Sequence, residues 1–174
     1  MNTQALYGTA GILNLWKPKV DHNFQFTLSH IWVHAGPEYS QSNCIEAGWQ
    51  DFETGNWLLL WGENSEMMGY WPKELFNHLR NKAEGIHWGG ETYGPRPYPE
   101  MGSGHFPEEG YGKACCISKI RITDEHRVMR DVDISETRSH SDLQCYKIIV
   151  TRSVKQGIEI YFGGPGGNCQ STLA

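Results

Sequence analysis

Two glutamates lie inside segments whose alternating pattern predicts β-strands, a place where acidic side chains are uncommon. They are Glu46 in CIEAGWQ and Glu91 in IHWGGETY. Strand alternation puts a glycine on the same face two residues away, Gly48 beside Glu46 and Gly89 beside Glu91. A glycine within a strand lets another backbone approach closely, as the floor of a peptide or sugar cleft requires. Two such carboxyl groups could divide the acid and base roles of a hydrolytic reaction.

A second interpretation places both glutamates on solvated outer faces of their strands. In the first strand, alternation places Cys44, Glu46, Gly48 and Gln50 on one face and Ile45, Ala47 and Trp49 on the other. In the second strand, alternation places His87, Gly89, Glu91 and Tyr93 on one face and Ile86, Trp88 and Gly90 on the other. The apolar Ile and Trp side chains would be buried, and the pattern alone leaves both interpretations open.

Other polar groups do not predict a second site. Glu108 and Glu109 in HFPEEG are adjacent, so their side chains diverge, and a solvated loop is expected. His30 and His34 would share a strand face but lie about 13 Å apart at ~3.3 Å per residue, too far to share a metal ion. Because the common metalloprotease, hydrolase and nucleotide-binding motifs are absent, we expect no metal and no cofactor.

The elements that must position the glutamates are predicted to be short strands. Residues 24–33 alternate apolar and polar side chains, and further strand segments are expected at 11–16, 44–50, 56–61, 66–71, 86–93, 112–122, 144–151 and 157–162. Most of the tryptophans, Trp32 among them, fit core-facing strand positions. The segment WPKELFNHLRNKAEG predicts one short helix over about residues 72–82. Residues 94–111, rich in proline and glycine, predict a long loop. The expected fold class is therefore all-β.

Composition and charge narrow the class of protein. The chain has 174 residues and a formal net charge of −5, with no block of basic residues. Nucleic acid and anionic membrane surfaces are thus not expected partners. The longest apolar runs are far shorter than the roughly 20 residues of a membrane span. We expect a single domain over residues 1–174 and, since the N-terminus has no signal-peptide pattern, a cytoplasmic location for the chain as written, unless it is a fragment.

The five cysteines form an odd set without a C-x-x-C pair, so at least one thiol is unpaired. Cys115 and Cys116 are adjacent and would point to opposite faces of a strand, which makes them poor partners for each other. Spacing alone does not decide which cysteines pair.

Several strings resemble, in order, the C-terminal domain of plant neprosin-type proteins, from about Gly11 to Cys169. These strings are GILNLWKPKV, FTLSHIWVHAGP, NCIEAGWQ, TGNWLLLWG, GYWPKELFNHL, WGGETY, MGSGHFPEEGYGKA and YFGGPGGNC. The resemblance implies an antiparallel β-sandwich resembling a jelly roll. It also implies a glutamic-class endopeptidase that cleaves preferentially after proline, and an extracellular location.

The family's two catalytic glutamates lie in its EAGW and GGE motifs, which match Glu46 and Glu91 in this chain. The family's C-terminal disulfide maps to Cys145 and Cys169. Relatives carry several additional strands between the positions that are Gln50 and Asp51 here, and a leader and propeptide ahead of the domain. We therefore expect an internally truncated domain that is poorly soluble or partly unfolded when made alone.

The implied reaction is attack of water on a peptide carbonyl, with one carboxylate as general base and the other as general acid, favoured at acidic pH. Trp49 and Tyr93 are candidates for a proline slot, although Trp49 is expected to face away from Glu46. Peptides or proteins are the expected substrates, with no obligate protein partner. Two alternatives are a non-catalytic β-sandwich that binds cell-wall glycan or peptide, and a glycoside hydrolase that uses the same pair of carboxylates.

Overall fold

The computed structural model describes residues 5–37 and 42–170, and these residues form an all-β fold, as the sequence predicted. The strands are β1 (Gly8–Leu13), β2 (Phe26–Ala35), β3 (Asn43–Glu46), β4 (Gly48–Gln50), β5 (Trp57–Trp61), β6 (Glu66–Trp71), β7 (Gly85–Tyr93), β8 (Cys115–Thr123), β9 (Met129–Asp131), β10 (Lys147–Ser153) and β11 (Gly157–Gly163). Short 3-10 turns occur at Lys73–Leu75, Pro107–Glu109 and Ile134–Glu136.

The strands form two sheets. The larger sheet has the order β10-β11-β8-β1-β4-β5-β6, with β9 added beside β8, and the smaller sheet has the order β3-β2-β7. The registers of the paired strands are antiparallel, for example Trp32 opposite Glu46 and Gly8 opposite Trp49. Two antiparallel sheets are what a β-sandwich requires, and this expectation from the resemblance is confirmed.

Contacts divide the chain into two compact units, and the first comprises Met1–Ala10, Ile31–His87 and Arg121–Asp131. Its core is formed by buried side chains from both sheets, namely Val33, Ala35, Ile45, Trp57, Phe76, Leu79 and Ala83. Trp57 of β5 is fully buried, and its indole N–H donates a 2.8 Å hydrogen bond to the carbonyl of Leu79. The sheets therefore pack face to face within this unit.

The second unit comprises Gly11–His30, Trp88–Ile120 and Val132–Ala174. Here Gly90 of β7 lies against Met101 and Phe162 of β11, so both sheets again contribute to the interior. Cys145 and Cys169 form a disulfide, which confirms the pairing that the resemblance implied. Cys115 and Cys116 are buried free thiols. The expectation of one domain over residues 1–174 stays a prediction.

The predicted strand over residues 44–50 is two strands that belong to different sheets. Ala47 separates them with a positive φ of 58°, and its N–H donates a 2.7 Å hydrogen bond to the carbonyl of Ile31. Left-handed backbone is unfavourable for a residue with a Cβ, so the break needs strong support from its surroundings. The chain thus leaves the smaller sheet after Glu46 and enters the larger sheet at Gly48.

The predicted helix over residues 72–82 is wrong, since only the single 3-10 turn Lys73–Leu75 forms there. Asn43 supplies the physical reason. Its side-chain oxygen accepts the backbone N–H groups of three consecutive residues, Asn77, His78 and Leu79, at 2.9, 2.7 and 3.4 Å. A helix would need those N–H groups for its own carbonyls four residues earlier. A residue distant in sequence therefore overrides the local helical pattern.

The junction between Gln50 and Asp51 forms a hairpin from β4 to β5. Gln50 lies opposite Trp57, and its side-chain amide donates to the carbonyls of Gly55 and Arg80. The Asp51 carboxylate accepts hydrogen bonds from the hydroxyl and the N–H of Thr54 at 2.6 and 2.8 Å. Hydrogen bonding from the Thr54 side chain lowers the pKa of Asp51. The turn at the junction is thus internally hydrogen-bonded, and the internal truncation stays a prediction.

Candidate active site

Glu46 is the last residue of β3 and is exposed to solvent. It lies directly opposite Trp32 of β2, and the preceding pair is the buried Ile45 opposite the buried Val33. Directly opposed residues of antiparallel strands point to the same face with Cβ atoms about 5 Å apart. Trp32 is therefore a neighbour of Glu46 on the outer face of the smaller sheet, and the prediction that Trp32 faces the core is wrong.

Gly48 does not lie beside Glu46, and its prediction as a cleft-floor residue is wrong. A Cβ at Gly48 would lie 2.8 Å from Ile45 Cδ1 and 3.3 Å from Trp57 Cε3, so this glycine faces the core. The left-handed turn at Ala47 breaks the alternation that linked Gly48 to Glu46. The absence of a side chain at Gly48 allows close packing of the two sheets.

Trp49 does not lie near Glu46, because the two residues belong to different sheets. Its neighbours in β4, Gly48 and Gln50, are buried toward the core, so Trp49 lies on the outer face of the larger sheet. There its ring makes an edge contact with Phe52 at a centroid distance of 5.4 Å. The expectation that Trp49 faces away from Glu46 agrees with this placement, and a substrate role for Trp49 next to Glu46 does not.

Glu91 lies near the end of β7 and is half-buried. The next residue toward the N-terminus, Gly90, faces Met101 and Phe162, so alternation turns Glu91 to the opposite face. Gly89 shares that face and is buried. A Cβ at Gly89 would nevertheless meet no atom within 4 Å outside its chain neighbours, so there is room for a side chain beside Glu91.

Tyr93, two residues after Glu91, is part of an aromatic surface. Its ring stacks on Phe26 with a centroid distance of 5.5 Å and an interplanar angle of 17°, and 64% of Tyr93 remains exposed. Tyr93 also lines a pocket of about 470 Å³. The pocket wall consists of Phe24, Thr92, Tyr93, Gly94, Pro95, Tyr98, Asp142 and Leu143. Aromatic and apolar groups dominate this lining, and Asp142 adds one carboxylate.

Gln25 holds one wall of this pocket in place. Its side-chain amide donates to the carbonyls of Pro95 and Pro97 at 2.8 and 2.6 Å, and its side-chain oxygen accepts the N–H groups of Asp21 and His22. Gln25 is buried, and these four bonds use its amide fully. The proline-containing segment that follows Tyr93 is therefore fixed to the start of β2 rather than free to collapse into the pocket.

The second pair of carboxylates is engaged in surface interactions, in agreement with its prediction as a solvated loop. Glu108 forms an ion pair with Lys147, and hydrogen bonding from the Lys147 side chain lowers the pKa of Glu108. Glu109 accepts from the His105 ring at 2.9 Å and from the N–H of Phe106 at 3.2 Å. These carboxylates stabilise the loop before β8.

Within residues 5–37 and 42–170, no group of three or more His, Cys, Asp or Glu side chains is arranged to hold a metal ion. The same residues contain no helix that is long and apolar enough to cross a membrane.

Sequence reasoning missed the pocket residues Phe24, Tyr98 and Leu143, which come from three separate segments of the chain. Phe24 carried one sequence signal, its place in the alternating segment 24–33, but in the fold it lies two residues before β2 and is 82% exposed. Tyr98 and Leu143 carried none, because only tertiary structure brings them to Tyr93.

The neprosin family model matches residues 49–165, more than half of the chain. The chain belongs to the neprosin family. Glu91, Tyr93 and Cys145 fall within the matched segment, whereas Glu46 and Cys169 lie just outside its two ends. Neprosin membership supports assignment to a family of peptidases.

Proposed function

We propose that this neprosin-family chain is a glutamic endopeptidase that hydrolyses peptide bonds after proline, with Glu46 and Glu91 as its catalytic carboxylates. The observation that carries the proposal is the position of Glu91. Glu91 is half-buried, it shares a strand face with the buried Gly89, where a Cβ would meet no atom within 4 Å, and it lies two residues from Tyr93, which lines the aromatic pocket. Family membership supports the reaction class.

In the proposed reaction, one carboxylate accepts a proton from a water molecule as the water oxygen attacks the peptide carbonyl carbon. The second carboxyl group, initially protonated, donates its proton to the leaving nitrogen as the C–N bond breaks. The two groups end with exchanged protonation states and return by proton exchange with solvent. Because the reaction needs one ionised and one protonated carboxyl group, it should proceed best at acidic pH, as in other carboxylate pairs.

The aromatic pocket supports the preference for proline. A pyrrolidine ring is apolar and rigid, and it packs well on the face of an aromatic ring. The exposed ring of Tyr93, stacked on Phe26, offers such a face. The pocket volume of about 470 Å³ is sufficient for one proline residue and part of its neighbour. Gln25 holds the wall segment that contains Pro95 in place, which reduces the ordering cost of binding.

Glu46 and Glu91 belong to different compact units, so their joint action on one water is the part of the proposal that mutagenesis must test. Glu46→Gln and Glu91→Gln remove each carboxylate while preserving side-chain size. Glu63→Gln, in the exposed turn between β5 and β6, is the matched control. With a peptide that contains one proline, at about pH 4.5, each active-site variant should lose at least about 100-fold in kcat, and the control should not change. Full activity in either active-site variant would remove that residue from the proposal.

Proline selectivity is tested separately. Tyr93→Ala should lower kcat/KM for the proline peptide by about 2- to 13-fold, the value of one aromatic packing contact of about 0.5–1.5 kcal/mol. An otherwise identical peptide with alanine in place of proline should be affected less. The control is Tyr70→Ala, which removes an exposed tyrosine of the first unit and should not change kcat/KM for either peptide. Equal losses on both peptides would argue against a proline site at Tyr93.

A non-catalytic binding role is the second candidate, and the exposed stack of Phe26 and Tyr93 is the observation that favours it. Stacked aromatic surfaces bind both proline-rich peptides and sugars. If the chain binds a proline-rich peptide or a cell-wall glycan without cleaving either, this candidate replaces the peptidase. We also propose an extracellular location, since the disulfide between Cys145 and Cys169 is of the kind that persists in oxidising compartments. Immunolocalisation of the full-length gene product tests the location.

A further inference from the structure

The pocket that Tyr93 lines has one charged side chain among the described residues, the carboxylate of Asp142. The rest of the lining is aromatic, apolar or glycine, apart from the hydroxyl of Thr92. All of these residues belong to the second unit, so the pocket lies within one compact part of the chain. A carboxylate beside aromatic rings suits a ligand that carries a cation next to an apolar group, since ionised acceptors form the stronger hydrogen bonds.

The turn that carries Asp142 is held in place by its neighbours. The hydroxyl of Ser141 donates to the carbonyls of Leu143 and Tyr146 at 3.3 and 2.8 Å. Tyr146 is buried, and its hydroxyl donates a 2.6 Å hydrogen bond to the carbonyl of Pro99. The turn is therefore fixed to the proline-containing segment that follows Tyr93, and Asp142 is positioned before a ligand arrives.

The Asp142 carboxylate can accept a further donor from a ligand. Its Oδ1 lies 2.7 Å from Nε2 of His140, and 73% of the Asp142 side chain remains exposed. An ionised carboxylate has about four lone-pair sites, so His140 leaves acceptor capacity for a second partner. Arg96 is a nearby cation that would repel a basic ligand. Its guanidinium is 5.6 Å from the ring centre of Tyr98, but Arg96 does not line the pocket.

We propose, on the basis of the proline-directed function proposed for the chain, that this pocket selects a proline flanked by lysine or arginine and that Asp142 binds the cationic side chain. The exposed rings of Phe24 and Tyr93 supply the apolar surface for the pyrrolidine ring. Proline-rich segments adopt an extended helix with three residues per turn, and aromatic grooves bind this form at low ordering cost. The substrate class is therefore basic, proline-rich peptide.

The expected selectivity is modest, because Asp142 is an exposed carboxylate. An exposed ion pair is worth a factor of about 2 to 5 in affinity. A lysine beside the proline should therefore strengthen binding about 2- to 5-fold over glutamine, and a glutamate should weaken it. The preference should decrease when NaCl is raised from about 20 to about 300 mM, since salt screens exposed charges.

The test measures Kd by fluorescence anisotropy at about pH 7 on the Glu91→Gln chain, which should bind peptide without cleaving it. Three labelled peptides differ only in one residue next to a single proline, which is lysine, glutamine or glutamate. One set varies the residue before the proline and a second set varies the residue after it. In at least one set the lysine peptide should bind most tightly and the glutamate peptide least tightly.

Substitutions of Asp142 identify the group responsible for this order. Asp142→Asn should remove the difference between the lysine and glutamine peptides, and Asp142→Lys should favour the glutamate peptide. Glu125→Gln is the matched control, since Glu125 is another exposed carboxylate near a histidine but belongs to the first unit. It should leave the order unchanged. Equal Kd values for the three peptides in both sets, no saturable binding, or a preference that persists in Asp142→Asn would overturn the proposal.

A kinetic measurement on the parent chain separates this proposal from the peptidase proposal. At about pH 5, the lysine peptide should have the lower KM and nearly the same kcat as the glutamine peptide, as expected for a contact that stabilises substrate and transition state equally. If no peptide is cleaved, the peptidase proposal fails, and the Kd order still decides whether Asp142 binds the cation. If all peptides are cleaved with equal KM and bound with equal Kd, the peptidase proposal stands and the role of Asp142 is refuted.

Discussion

Replacement of Asn43 by alanine should destabilise the first unit, because its side-chain oxygen holds the backbone of residues 77–79. Two of its three hydrogen bonds are short, at 2.7 and 2.9 Å, and the third is longer at 3.4 Å. Each intramolecular hydrogen bond contributes about 0.5–1.5 kcal/mol net. Water can replace part of this interaction at a half-exposed site, so the loss should fall at about 1–2 kcal/mol. For a chain of this length, that corresponds to a decrease in Tm of roughly 2–8 °C.

The control is Asn43→Asp, which keeps an accepting oxygen, replaces the amide NH2 group by a second oxygen and adds a negative charge that the three N–H donors favour. Differential scanning calorimetry at neutral pH should show a lower Tm for the alanine variant and a Tm for the aspartate variant that is no lower than that of the parent chain. Far-ultraviolet circular dichroism of both variants checks whether the freed segment becomes helical. Equal Tm values for the alanine variant and the parent chain would refute Asn43 as the reason that this segment is not a helix.

Three further predictions concern other parts of the chain. Replacing Cys145 and Cys169 together by serine opens a loop with a sequence separation of 24; the chain-entropy relation predicts a loss of about 3.5 kcal/mol, seen as a lower denaturation midpoint without reductant. Burial lowers the pKa values of His34 and His87, which means that the unfolded chain binds protons first as the pH falls, so stability should be full above about pH 6.5 and decrease below it. A urea midpoint at pH 5.5 equal to that at pH 7.5 would contradict this. Gln25→Ala should loosen the pocket wall and raise KM for proline peptides while leaving kcat nearly unchanged, and a change confined to kcat would argue against a wall-positioning role.

Strand positions could be predicted from the sequence where one face is buried and the other is solvated. β6 and β11 appear within a residue or so of their predicted segments. β9 was missed because three residues are too few to show a period. The break between β3 and β4 was also missed, since nothing in the local sequence marks Ala47 for left-handed backbone. That single residue separates Glu46 from Gly48, so the two do not share the strand face on which the alternation placed them.

Some residues of the candidate site could likewise be predicted from the sequence, and others could not. Local pattern and family resemblance both selected Glu46 and Glu91, because a carboxylate inside a strand and a motif are properties of a short segment. The pocket beside Tyr93 and the contact between His34 and His87 could not be predicted, since each depends on which strands become neighbours. The disulfide followed from the resemblance and not from cysteine spacing, which leaves several pairings open.

The central claim is that Glu46 and Glu91 act as one catalytic unit on a single water. The most direct test is kcat/KM of the parent chain, Glu46→Gln, Glu91→Gln and the double variant, on a peptide with one proline at about pH 4.5. Residues that act as a unit give grossly non-additive effects. The account therefore predicts that the double variant has about the same kcat/KM as the less active of the two single variants. Losses that multiply in the double variant, or full activity in either single variant, would contradict it.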